Sequence, residues 1–180
     1  THVRKEWLAQ YERESTLDYN SPHVTVDEFI NYDLIHFSNS DNIRSIPNIM
    51  DGLKPSQRKI LFSTFKRNLV DKEIKVAQLS GYVSENAAYH HGEMSLQGAI
   101  INMAQHFVGS NNIALLEDVG QFGTRILGGK DSASPRYIYT KLAPMTMKLY
   151  NKHDIPLLEP QLDDGMKVEP VFYTPIIPMI

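Results

Sequence analysis

The segment Gly128-Gly129-Lys130-Asp131-Ser132-Ala133-Ser134-Pro135-Arg136-Tyr137 places a tyrosine directly after an arginine. A phenol ionises near pH ~10, so it attacks only with help. It needs a base or a field that favours phenolate, and cations that hold the charge of a pentavalent phosphorane. Arg136 supplies the cation, because a guanidinium pairs with phosphate oxygens as a planar fork. The chain has 9 tyrosines, and a tyrosine more often packs than reacts. Residue chemistry alone therefore leaves Tyr137 open between the two roles. A second run, Lys54-Pro55-Ser56-Gln57-Arg58-Lys59, gathers cations where a proline marks the first turn of a helix. Positive charge and free backbone N–H groups coincide there, which makes an anion site. An ordinary solvated helix start is the alternative reading.

Other chemistries lack their residues. There is no P-loop, the glycines at 123–129 do not space as G-x-G-x-x-G, and there is no H-E-x-x-H. His90 and His91 are adjacent and point apart on either a helix or a strand, so no bound metal is expected from this chain. The chain has no cysteine, which excludes disulfides and thiolate metal sites.

These residues need elements to position them. Trp7, Leu8 and Tyr11 suggest a helix that fades into a loop by Asn20-Ser21-Pro22. Thr25 and Glu28 have capping-box spacing at the start of a second helix, and Asn39-Ser40-Asp41-Asn42 reads as a polar turn. A helix follows Lys54-Pro55, with Ile60, Leu61, Thr64 and Phe65 on one face. Lys75 to Leu79 reads as a short helix that turns at Gly81. The strongest pattern runs from about Glu93 to Phe107, where Leu96, Ala99, Ile100, Met103, Ala104 and Phe107 recur at helical steps and Gly109 marks the end. Glycines 120, 123, 128 and 129 then punctuate short strands. Residues 136–140 are the last strand or the lead into a helix. Pro144 and Pro156 limit any helix over 144–158, and Val168 to Met179 reads as an edge strand. Helices followed by a glycine-turned hairpin, with a basic cluster at a helix start, form a winged-helix pattern.

The net charge of −3 argues mildly against a nucleic-acid partner, but it hides an asymmetry. Residues 51–150 carry 12 basic and 8 acidic side chains, whereas both flanks are acidic. Lys54, Arg58, Lys59, Lys66, Arg67, Lys72 and Lys75 crowd one window, and clustered charge decides phosphate binding. With 42% apolar residues the chain can build a core. No apolar run approaches the roughly 18 residues of a membrane span, and no secretory leader pattern is visible. The last residues, Tyr173-Thr174-Pro175-Ile176-Ile177-Pro178-Met179-Ile180, are apolar with nothing after them to cover them. The chain is therefore expected to be part of a longer polypeptide.

Taken in order, the motifs resemble the type IIA DNA topoisomerases of the eukaryotic kind. Asp51-Gly52-Leu53-Lys54-Pro55-Ser56-Gln57-Arg58-Lys59 looks like their D-G-L-K-P-x-Q-R-K segment. Tyr89-His90-His91-Gly92-Glu93 looks like their Y-H-H-G-E element. Gly120-Gln121-Phe122-Gly123-Thr124-Arg125 with 128–137 looks like the stretch that ends in the active-site tyrosine. Val168-Glu169-Pro170 and Pro175-Ile176-Ile177-Pro178-Met179 also match. Two places depart from the usual pattern: Val171-Phe172 replaces an acidic-aromatic pair, and the loop at 68–72 differs.

The resemblance implies an α+β, mostly helical chain. It places a connector from the preceding toprim region at 1–40, a winged-helix DNA-cleavage domain at 41–160 and the start of an α/β tower domain at 161–180. It implies that Tyr137 forms a transient 5′-phosphotyrosine link in an ATP-dependent enzyme that passes one duplex through another. Arg136 would stabilise the transition state, and His91 and Arg58 would assist at the scissile phosphate. DNA contacts are implied for Lys54, Arg58, Lys75, Tyr89, His91, Ser95 and Arg136. Mg²⁺ and ATP would bind outside this chain, so the fragment alone should be inactive. The partners implied are double-stranded DNA, a second copy, and the toprim and ATPase regions of the same polypeptide. The compartment implied is the nucleus, or the host cytoplasm for a large DNA virus. Two other readings stand beside this one: a plain winged-helix DNA-binding module, and a helical scaffold that does not bind DNA.

Overall fold

A computed structural model describes residues 2–180, divided into two units, Thr1–Pro47 and Asn48–Ile180. In the first unit, α1 (His2–Ala9) sets Trp7, whose Nε1 donates to Asn31 Oδ1 at 3.0 Å. Helix α2 (Val26–Phe29) begins with the expected capping box. Glu28 N donates to Thr25 Oγ1 at 3.2 Å, and Thr25 N donates to Glu28 Oε2 at 2.8 Å. A π-helical turn (Ile30–Leu34) leads into α3 (Ile35–Ser45). The expected turn at Asn39–Asn42 is instead mid-helix. Asp41 accepts from Arg44 at 3.4 Å and from Ser45 at 3.2 Å, so its side chain bonds along the helix. The helix stops at Ile46, where Pro47 forces the preceding residue into an extended conformation.

The second unit starts from α4 (Pro55–Lys66), with Pro55 in its first turn as expected. Ile60, Leu61 and Thr64 are fully buried. Strand β1 (Ile74–Lys75) runs directly into α5 (Val76–Asn86). The helix passes through Gly81 rather than turning there. Val76, Leu79, Ser80 and Val83 form one buried face, and that burial outweighs the ~1 kcal/mol cost of a helical glycine. Helix α6 (Glu93–Ala104) has the predicted face but ends three residues before Phe107. Gln105 leaves the helix with extended backbone, and its side chain turns to the loop that precedes Tyr137. Gly109, with φ +94°, serves a later turn.

Strands β2 (Leu116–Val119) and β3 (Tyr139–Leu142) pair antiparallel, from Leu116↔Leu142 to Val119↔Tyr139. Strand β1 joins the other edge of β3 with Lys75 opposite Tyr139, giving the order β1-β3-β2. Helix α7 (Pro144–Leu149) starts at its proline, and a 3₁₀ turn follows at Ile155–Leu157. Strands β4 (Pro160–Asp163) and β5 (Met166–Pro170) form a separate hairpin. The edge strand expected over 168–179 therefore ends at Pro170. The architecture is mostly helical with two small antiparallel sheets, as the α+β expectation required.

The core gathers Ile60, Leu61, Val76, Leu79, Val83, Leu96 and Ile100. Phe65, Tyr150 and Tyr173 add an edge-to-face aromatic triad with centroids 5.6 to 6.1 Å apart. Beside it, Glu169 is buried and accepts from Lys59 Nζ at 3.0 Å, while Lys59 also donates to the Ala87 carbonyl at 2.6 Å. Burial pushes the Glu169 carboxyl above the usual range, and Lys59 offsets only part of that. A raised folded pKa means the folded state holds the proton more tightly than the unfolded chain. The associated stability is full below the ordinary carboxylate pKa and is lost as pH rises through the raised value. Glu169→Gln removes this titration. The stability of the variant relative to the native protein should therefore climb as pH rises from about 4, read by urea unfolding at several pH values. Parallel pH profiles would contradict the assignment.

Candidate active site

Tyr137 stands on a turn just before β3, with 76% of its surface exposed. Its own N–H donates to Ser134 O at 2.9 Å, which closes the turn. The first turn of α5 docks onto either side of it. Val76 N donates to Ile138 O and Ala77 N donates to Pro135 O, both at 3.0 Å. Two amides at a helix N-terminus thus hold the backbone around Arg136 and Tyr137, while both side chains face solvent. Ile138 is buried and anchors the far side. It packs where a side chain at Gly120 (φ +120°) would sit, 3.0 Å from its Cγ2.

The loop before Tyr137 is folded on itself. Gly129 N donates to Thr124 O at 2.9 Å and Ala133 N donates to Gln121 O at 2.8 Å. Asp131 Oδ1 accepts from Thr124 N at 2.8 Å, and that bond holds the exposed Asp131 carboxyl below its ordinary pKa. Gly123 (φ +100°) meets the Gly129 backbone so closely that a Cβ would lie 2.6 Å away. Gln105, buried at the end of α6, donates from Nε2 to Phe122 O at 2.7 Å and Gly129 O at 3.3 Å. The amide staples both arms of the loop to the helix layer. Sequence reasoning missed it, and a polar residue closing an apolar helix face was the available signal. Gln105→Ala leaves two loop carbonyls without this donor, costing about 1–3 kcal/mol locally. Activity of the intact protein on DNA should fall about tenfold or more with DNA affinity little changed; unchanged turnover would show that the loop holds itself.

Lys54 is exposed at the N-cap of α4, and its N–H donates to Gln57 Oε1 at 2.8 Å. Arg58 departs from expectation. It is 3% exposed, so its guanidinium is not offered to solvent or to a polyanion in this structure. Arg58 Nε donates to Asp51 Oδ2 at 2.7 Å, and Nη2 donates to Asp51 Oδ1 at 3.0 Å and to Leu53 O at 2.9 Å. Asp51, fully buried, also accepts from Leu53 N and Tyr173 N, each at 2.9 Å. The fork therefore clamps the loop that presents Lys54. Asp51 itself was not singled out from the sequence.

Tyr89, His91 and Ser95 gather at the start of α6. The Tyr89 and His91 rings meet edge-on at 5.5 Å, and Tyr89 Oη lies 3.4 Å from Ser95 Oγ. His91 and Ser95 are exposed. This group follows the C-terminal end of α5, whereas Tyr137 is docked on its N-terminal end. The length of the helix, about 16 Å, separates the two docking points. Lys75, half-buried, lies across β3 with its Nζ 5.9 Å from the Tyr139 ring centroid. Among the described residues, one set of His, Asp and Glu side chains lies close enough to share an ion: His90, Asp163 and Asp164. It holds none of the residues around Tyr137. The residues at Tyr137 do not form a carboxylate cage for Mg²⁺.

Comparison with known proteins gives a consistent result. Residues 44–180 match the profile of the DNA gyrase/topoisomerase IV family, and residues 1–42 match the C-terminal associated domain of TOPRIM. The chain is 61% identical over 158 residues to DNA topoisomerase 2 of Drosophila melanogaster, covering 87% of this chain and 11% of that protein. It is 58% identical over 178 residues to DNA topoisomerase 2 of Arabidopsis thaliana, covering 99% of this chain and 12% of the relative. The chain thus spans about an eighth of the length of the curated relatives it matches. It also resembles the crystal structure of the Plasmodium falciparum topoisomerase II DNA-binding, cleavage and re-ligation domain. The TM-score is 0.86 at 53% identity, over 98% of this chain and 24% of that one.

Proposed function

Since this chain belongs to the type II DNA topoisomerase family, we propose that it carries the tyrosine half of a DNA breakage and rejoining site. The carrying observation is Tyr137 itself: exposed beside exposed Arg136 on a turn that α5 holds rigidly. Tyr137 Oη attacks a backbone phosphorus, forming a P–O bond to the tyrosine and breaking the bond to the 3′ oxygen, which takes up a proton. One phosphodiester replaces another, so the reverse attack by the 3′-hydroxyl reseals the strand without ATP. Arg136 offsets charge on the phosphorane. Lys54, Lys75, Tyr89, His91 and Ser95 contact DNA, with His91 assisting at the scissile phosphate. Arg58 is a positioning residue that holds the Lys54 loop through Asp51.

The order α4–β1–α5–α6–β2–β3 with the sheet β1-β3-β2 supports a winged helix, in which the exposed start of α6 enters a DNA groove. We assign residues 1–40 to a connector from a toprim region, 41–160 to the winged-helix domain and 161–180 to the start of a tower domain. The whole protein acts on double-stranded DNA as a homodimer in the nucleus. Its Mg²⁺ and ATP sites lie outside this chain, and ATP drives passage of a second duplex through the break. The test uses the full-length protein, Mg²⁺ and supercoiled DNA, with detergent trapping. Protein should remain on 5′ ends and leave 3′ ends free; attachment to 3′ ends would overturn the proposed chemistry.

A further inference from the structure

A groove of about 490 Å³ opens beside the C-terminal end of α4, with Lys66, Lys152 and Lys167 among its lining residues. Its floor is apolar and comes from separate elements: Phe62 and Phe65 of α4, Ile155 and Pro156 of the 3₁₀ turn, and Val168 of β5. The three lysines are exposed. Among the described residues none of them forms an ion pair, and Lys66 only overlies the Phe62 ring at 5.8 Å. The acids nearest in sequence, Asp154 and Glu159, are not among the lining residues. Glu169 faces the other way, buried against Lys59. An apolar trough with three uncompensated ammonium groups and no facing carboxylate selects an anionic ligand that also brings apolar bulk.

We infer that this groove docks an acidic segment of a separate partner protein, anchored by a large apolar side chain. Duplex DNA fits the lysines but not the floor, because its backbone offers no apolar anchor. The groove also lies at the opposite end of α4 from Lys54, about 18 Å away by helix length. Carboxylates on either side of one aromatic or leucine anchor satisfy both halves of the surface.

The test measures fluorescence anisotropy of a labelled short peptide of aspartate and glutamate around one tryptophan and one leucine, with the full-length protein. Saturable binding should weaken as salt rises. It should fall about tenfold or more in the Lys66→Glu/Lys152→Glu/Lys167→Glu variant, whose fold is checked by circular dichroism. Lys5→Glu, a charge-matched exposed control, should bind normally. A peptide with alanine in place of both apolar residues should bind about tenfold more weakly. Three outcomes overturn the inference: no binding to the intact protein, equal binding of the alanine peptide, or displacement of the probe by short duplex DNA.

Discussion

Tyr137→Phe is expected to abolish covalent attachment to DNA, a loss of about 10⁴-fold or more in cleavage, while DNA affinity changes by less than about threefold. The substitution removes a single oxygen. Tyr137 is exposed, its side chain makes no hydrogen bond among the described residues, and its turn is held through the backbone by Val76, Ala77 and Ser134. No fold contact is lost with the hydroxyl, so loss of chemistry and loss of structure separate cleanly. Detergent-trapped adduct reads the first, and salt-dependent DNA binding reads the second. Weak DNA binding by the variant would instead make the phenol a DNA anchor.

Arg58→Ala is expected to destabilise the second unit by about 3–5 kcal/mol, because it leaves a fully buried carboxylate without its cation. Asp51 would keep its bonds from Leu53 N and Tyr173 N, but two backbone donors do not neutralise a charge in a dry site. Arg58→Lys should recover only part of the loss, since an ammonium cannot span both Asp51 oxygens and Leu53 O. Urea unfolding measures all three proteins. A loss below about 1 kcal/mol for Arg58→Ala would place this pair among weak surface bridges and remove the positioning role proposed for it.

What the sequence disclosed tracks the range of the interactions. The Thr25–Glu28 capping box and the proline start of α4 involve residues within one turn, so spacing alone exposed them. The apolar face of α6 was equally plain, since its periodicity repeats over three turns. Asn39–Asn42 misled because polar residues that suit a turn also suit the outer face of a helix. Gly81 misled because the burial of Leu79 and Val83 on either side of it is a tertiary matter. Arg58 was the largest departure. Its burial depends on Asp51, which in turn takes a bond from Tyr173 at a separation of 122 residues. The Gln105 staple likewise joins α6 to a loop 17 and 24 residues away. Tyr137 became legible only through the ordered motifs around it. The structure adds the amides that present it, and these come from another element.

The most direct measurement identifies the residue joined to DNA. Full-length protein is trapped on DNA with Mg²⁺, digested with nuclease and protease, and the nucleotide-bearing peptide is sequenced by mass spectrometry. A single adduct is expected, on the peptide that contains Arg136 and Tyr137, with the phosphate on Tyr137 Oη. An adduct on Tyr139, on any other of the 9 tyrosines, or on a non-tyrosine residue would contradict the role assigned to Tyr137.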